Sequence, residues 1–170
     1  MEIIWNPMMI ITESQLEKSI NSVLNMTQSE QESLFDEIMM AQPTLFQNIL
    51  IQKQYGNPLY HIGILLQLLL ILMKVVNDTK IEIEMISEDE FERHMKRIAA
   101  IANFSESLSS EEKLACIEQH LSRYQNTIIL SYVFDEIVSK GLCSLPNESS
   151  KFLPLVGLAM TTCILEAIEG

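Results

Sequence analysis

Glu112, Cys116 and His120 follow one another at intervals of four, a spacing that sets a carboxylate, a thiol and an imidazole along one flank of a helix. These are three of the ligand types that zinc accepts, which makes the trio the metal candidate of the chain. A closed structural site wants a fourth ligand, and no second pair at matching spacing accompanies it. The plainer reading is a boundary cysteine beside a surface histidine, so no cofactor is expected and zinc is the alternative. His61 falls inside an apolar segment, where an imidazole without a partner is costly. Together with Gln67 it supplies the polar groups from which a small-molecule site in a helical core would be built. Glu90 and His94, also four apart, read as pairing on a helix surface.

Other chemistries lack their residues. There is no Gly-x-Gly-x-x-Gly, no phosphate-binding loop, no Gly-x-Ser-x-Gly and no His-Glu-x-x-His, and five glycines leave little material for cradling phosphates. The paired Glu-x-x-His of carboxylate-bridged di-iron bundles is also missing. Whether the chain is an enzyme stays open, leaning to no.

The elements that would position these residues are helical. Thr12 or Ser14 can cap a first helix with Leu16, Ile20, Val23 and Leu24 on one face. Thr27 to Glu30, Ser87 to Glu90 and Ser109 to Glu112 have the form of capping boxes. Pro43 stops one helix or opens the next. Gly56-Asn57-Pro58 is a turn before Leu59–Val76, in which only His61, Gly63, Gln67 and Lys74 are neither aliphatic nor aromatic. A helix apolar on all sides must be enclosed by others, so this segment is expected at the centre. Leu114, Ile117, Leu121, Tyr124 and Ile128 step by three and four, and this stripe runs into the apolar stretch Ile128–Val138, which Gly141 should terminate. A last helix covers Leu155 to Ile168. The segment Lys80 to Ile86 alternates apolar and charged residues, the period of a short strand whose partner would be the Ile3–Trp5 stretch or a second subunit. The sequence thus predicts an all-α fold: residues 1–170 as a single-domain helical bundle of six or seven helices, with an N-terminal arm at 1–11 and at most a two-stranded ribbon using 80–86.

The totals bound the function. Net charge is −12 in 170 residues, with acids spread along the chain and no basic cluster, which excludes a counterion-displacing nucleic-acid binder and favours a basic protein partner. The uninterrupted run Leu68–Met73 is short against the roughly 20 residues a span requires, so no membrane span is expected. Three widely separated cysteines, without a Cys-x-x-Cys pair, read as reduced thiols in the cytoplasm. Ten methionines suit either core gaps or an adaptable surface.

These features point to an intracellular acidic helical protein that works through protein–protein interaction, as an adaptor, inhibitor or immunity-like partner. The alternatives are a small-molecule- or metal-binding bundle and an enzyme of unassigned type. Three segments apolar nearly all round exceed what one small bundle readily encloses, which predicts a homodimer. Its expected seam is the last helix, through Leu155, Leu158, Thr161, Ile164 and Leu165, where Gly157 and Ala159 allow close approach.

Overall fold

The computed structural model describes residues 10–104 and 107–170, and every regular element among them is helical. Eight α-helices follow in order: α1 (Glu13–Leu24), α2 (Gln28–Ala41), α3 (Pro43–Leu50), α4 (Leu59–Asp78), α5 (Glu88–Phe104), α6 (Ser110–Leu121), α7 (Thr127–Ser139) and α8 (Phe152–Glu169). Single 3-10 turns stand at Ile51–Lys53 and Ser149–Lys151. The helix starts use local hydrogen bonds. Thr12 and Gln15 bond reciprocally, and the hydroxyls of Thr27, Ser87 and Ser109 accept from the amides of Glu30, Glu90 and Glu112. Each such cap satisfies an amide that the helix itself leaves unpaired.

The bundle has one helix more than the upper expectation, because the stripe from Leu114 to Ile128 belongs to two helices. The break falls at residues 122–126, where the carboxylate of Glu169, at the end of α8, accepts the amides of Gln125 and Asn126. A carboxylate at the start of α7 satisfies orphan donors and complements the helix dipole. No pattern within α6 and α7 announces it, since the partner comes from the far end of the chain.

The C-terminal ends of α4 and α7 are set by backbone geometry. Gly141, at φ +77°, ends α7 with its own amide on Val138 and that of Leu142 on Ile137, the double bond of a Schellman motif. The end of α4 has the same pair of bonds, Lys80 to Asn77 and Ile81 to Val76, but Lys80 takes the left-handed position at φ 58°. No glycine marks that turn.

Residues 80–86 do not form the expected strand. After the turn at Lys80 they lead into α5 with no regular structure and no ladder partner among the described residues, and a side chain serves part of their polar backbone: buried Gln42 donates Nε2 to the Glu84 carbonyl at 2.9 Å and accepts the Ile86 amide on Oε1 at 2.8 Å. The Ile3–Trp5 half of the ribbon, and most of the arm, lie outside the described residues. Of the arm's last two residues, Ile10 is exposed, while Ile11 is buried and gives its amide to Asn126 Oδ1 at 2.7 Å.

Helices α4 and α8 form the centre. From Ile62 to Val76 most of α4 is buried beneath α1, α2, α3 and α8, and α8 packs in turn on α3, α4, α5 and α7. Gly157 lets α8 approach closely, since a Cβ there would stand 2.9 Å from Ile137 Cδ1 and 3.2 Å from Leu65 Cδ2. By length and composition Leu59–Asp78 and Ser149–Glu169 would each be able to cross a membrane, and 61% of each apolar window is buried inside the fold.

Candidate functional site

Two features of this frame carry polar chemistry or open apolar surface, and α5 lies between them. On one side α5 packs on α8 through His94. Burial of this histidine follows from position: it stands three residues after Phe91 and four before Ile98, both buried, on the stripe that faces the core. Opposite it, Thr162 and Glu166 are one turn apart on α8. His94 Nδ1 is 2.8 Å from the Thr162 hydroxyl, and Nε2 is 2.6 Å from Glu166 Oε2, close enough for an ion pair but outside hydrogen-bonding angles for that oxygen. Arg93 donates to the other oxygen of Glu166 at 3.1 Å.

Burial pushes the His94 imidazole below its ordinary value, with the neighbouring Glu166 opposing that shift. Burial also pushes Glu166 up, but the Arg93 hydrogen bond and the charges of His94 and Arg93 outweigh it and hold the carboxyl below its usual range. In neutral His94 the proton belongs on Nε2, because the alternative tautomer turns a lone pair toward a carboxylate. Nδ1 then accepts from Thr162. On protonation Nδ1 becomes a donor, and the Thr162 hydroxyl can turn to the Ala159 carbonyl, 3.1 Å away.

A cleft of about 410 Å³ opens beside this group, with Glu82, Glu84, Glu90, Arg93, Cys163 and Glu166 in its wall. Both imidazole nitrogens face protein groups, and burial, with help from Glu166 and Glu90, pushes the Cys163 thiol up to about 12 and keeps it protonated.

On the other side of α5 lies a larger opening. A groove of about 500 Å³ runs between the end of α3, α5 and the start of α8, with Ile51, Tyr55, Phe91, Met95, Phe152 and Val156 supplying its apolar surface. Phe91 and Val156 are buried in its floor, whereas Tyr55 and Phe152 stand 54% and 49% exposed. Its charged lining residues are Glu88 and Glu92, and no lysine or arginine lines it.

The residues singled out in the sequence fall elsewhere. Glu112 and His120 are exposed on α6 and Cys116 is half-buried, and no group of three or more potential ligands able to hold a metal ion occurs among the described residues. His61 is half-exposed, stacks edge-on against Tyr60 at 5.6 Å, and its Nδ1 is buried without a hydrogen bond. Gln67 lines a different cavity, of about 200 Å³, with Ile20, Leu24 and Tyr132, and His61 is not in its wall. In the last helix Leu158, Thr161, Ile164 and Leu165 are buried by the chain itself, and Leu155 is partly covered. The close approach that Gly157 permits is used against α4 and α7.

The reading of Glu90 and His94 as a surface pair is corrected: His94 is 2% exposed and bonds across to α8. The signal was present in two places. His94 falls on the Phe91–Ile98 stripe, and Thr162 and Glu166 interrupt an apolar helix at one-turn spacing.

Fold and surface together define a small acidic helical bundle with an internal histidine–carboxylate tie and an open apolar groove. Compared with known proteins, the chain matches no family model, no curated protein and no solved structure.

Proposed function

We propose that the protein is a non-catalytic interaction protein that binds a basic partner through the groove between α3, α5 and α8. The observation that carries this reading is the groove itself: exposed Tyr55 and Phe152 flank an apolar floor, and its charged lining residues are both acidic. Exposed aromatic and aliphatic surface of this kind is the usual material of a binding hot spot. An acidic rim on a chain of net charge −12 steers basic proteins toward it and repels acidic ones.

A second copy of the chain is the rival occupant, since a homodimer would also cover the groove. Two surfaces of the same negative sign oppose that pairing, which is the reason for preferring a heterologous basic partner. The His94 cluster supports a non-catalytic role, because its groups face one another. The three cysteines are free, as suits a reducing, cytoplasmic setting, and the burial of α4 and α8 suits core helices.

A photo-crosslinking residue in place of Phe152, used in the native host, tests the reading. The expected product is a crosslink to a basic protein that disappears when Tyr55 is also changed to Arg and is absent when the probe replaces Asp36 on α2. Crosslinks confined to a second copy of the chain, together with a dimer in sedimentation equilibrium of the purified protein, would overturn the basic partner in favour of the homodimer.

A further inference from the structure

We infer that the segment seated in this groove is an amphipathic helix with two cationic side chains one turn apart, lying along α5. This rests on the reading of the groove as a protein-binding surface and specifies the partner's chemistry. Three observations carry it.

The first is charge spacing. Glu88 and Glu92 are four apart on α5, so their Cα atoms are staged about 6 Å along the helix axis, the rise of four residues. Lysines or arginines at i and i+4 of a helix alongside α5 have the same stage. Both carboxylates are open to exchange. Glu88 accepts only long bonds from Asn48 Nδ2, at 3.3 and 3.4 Å, and Glu92 meets Lys96 at 3.0 Å with 63% and 75% of the two side chains exposed. Such exposed pairs hold weakly and yield to a partner's cation.

The second is the apolar relief. Phe91 and Met95 on α5, and Phe152 and Val156 on α8, are each one turn apart, so both sides of the groove repeat with the helical period, buried Phe91 and Val156 in its floor and Met95 and Phe152 rising as its walls. A helix with an apolar stripe at three- and four-residue spacing fits such walls as ridges fit grooves. The third is backbone chemistry. The walls are helices and not strands, so they offer no sheet edge to which an extended peptide could add.

The test uses four fluorescein-labelled peptides and reads anisotropy at low and moderate salt. The first has a leucine stripe and a lysine pair four residues apart; the second replaces the lysines by glutamine; the third carries a central proline; the fourth replaces the leucines by serine. The first is expected to bind at least about tenfold tighter than the second, third and fourth, with the margin over the second shrinking as salt rises. Glu88→Gln with Glu92→Gln is expected to bring the first peptide down to the level of the second and either change alone to bring it part of the way, while Asp36→Asn with Glu37→Gln leaves it unchanged. Equal binding of the first two peptides, both weakened by Phe152→Ser, would overturn the cation pair and leave the groove reading standing. Full binding by the proline peptide would overturn the helix. Indifference of all four peptides to Phe152→Ser would overturn the groove reading itself.

Discussion

The Nε2 of His94 lies 2.6 Å from a carboxylate oxygen of Glu166 and so joins the middle of α5 to the C-terminal part of α8. Acid should destabilise the fold through this histidine, because burial disfavours its charged form. His94 is held below its ordinary value, chiefly by burial, so the unfolded chain takes up its proton more readily than the folded one. The contribution is present above about pH 6.5 and is lost as the pH falls through and below that value. Glu166 is likewise held low, against the upward push of burial, by Arg93 and His94, and its contribution is lost only below its ordinary value of 4.5. Urea midpoints are therefore expected to fall from pH 7 to pH 5 in the unmodified protein. In His94→Gln the slope over that range should flatten, at a cost of about 1–3 kcal/mol at pH 7 for the lost buried bond to Thr162. Equal slopes in the two proteins would show that another group governs this range.

Gln42 and Ile86 illustrate a different kind of substitution, in which a side chain takes the place of a strand. The alternation in Lys80–Ile86 was legible, but the segment forms no strand among the described residues. Its partner was not legible, because one buried carboxamide replaces a whole neighbouring strand. Gln42→Leu removes both bonds and strands two backbone groups near the core. The expected cost is about 1–3 kcal/mol per group left unsatisfied. Hydrogen exchange at the Ile86 amide should accelerate strongly while that of α4 rises only as far as global stability falls. Unchanged protection of Ile86 would mean that the segment is held by its apolar contacts alone.

Local signals read correctly where the relevant partner lies within a few residues. Thr12, Thr27, Ser87 and Ser109 cap helices, and the apolar run of α4 is central. At Thr27 and Ser109, however, only the hydroxyl half of the expected box forms, and the reciprocal bond is made at Thr12–Gln15. Readings went astray where the partner is remote. Glu169 splits a continuous stripe into α6 and α7, and Glu166 with Thr162 draws His94 inward. The groove had no sequence signal, since Tyr55, Phe91 and Phe152 come from three separated segments.

Gly157 and Gly63 make a matched pair for testing how α8 is packed. Both are in helix interiors, where alanine is favoured over glycine by about 1 kcal/mol. Nothing lies within 4 Å of a Cβ built at Gly63, so Gly63→Ala should gain roughly that amount. At Gly157 the same Cβ meets Ile137 at 2.9 Å and Leu65 at 3.2 Å, so the propensity gain is offset and Gly157→Ala should show little or none of it. Gly157→Leu should cost about 1–3 kcal/mol or more through overpacking. Chemical denaturation of the three variants measures the contrast. A stabilised Gly157→Leu would place this face of α8 outside the packed core.

The thiols give an order of reactivity that follows burial. Cys143 is exposed, although burial of its thiol raises its pKa, and Cys116 is half-buried. Cys163 is buried in α8, and burial, then the charges of Glu166 and Glu90, push it up to about 12. At pH 8 such a thiol stays protonated, and the thiolate is the species that reacts. With a chromogenic disulfide reagent under native conditions, Cys143 should react first and Cys116 next, with Cys163 silent on the same timescale. Cys163 should appear when denaturant opens the bundle, at a rate that follows unfolding. Rapid labelling of Cys163 in folded protein would show that α8 opens locally beside the Glu166 tie. After full denaturation all three thiols should titrate, and recovery of only one would reveal a disulfide and overturn the reducing compartment.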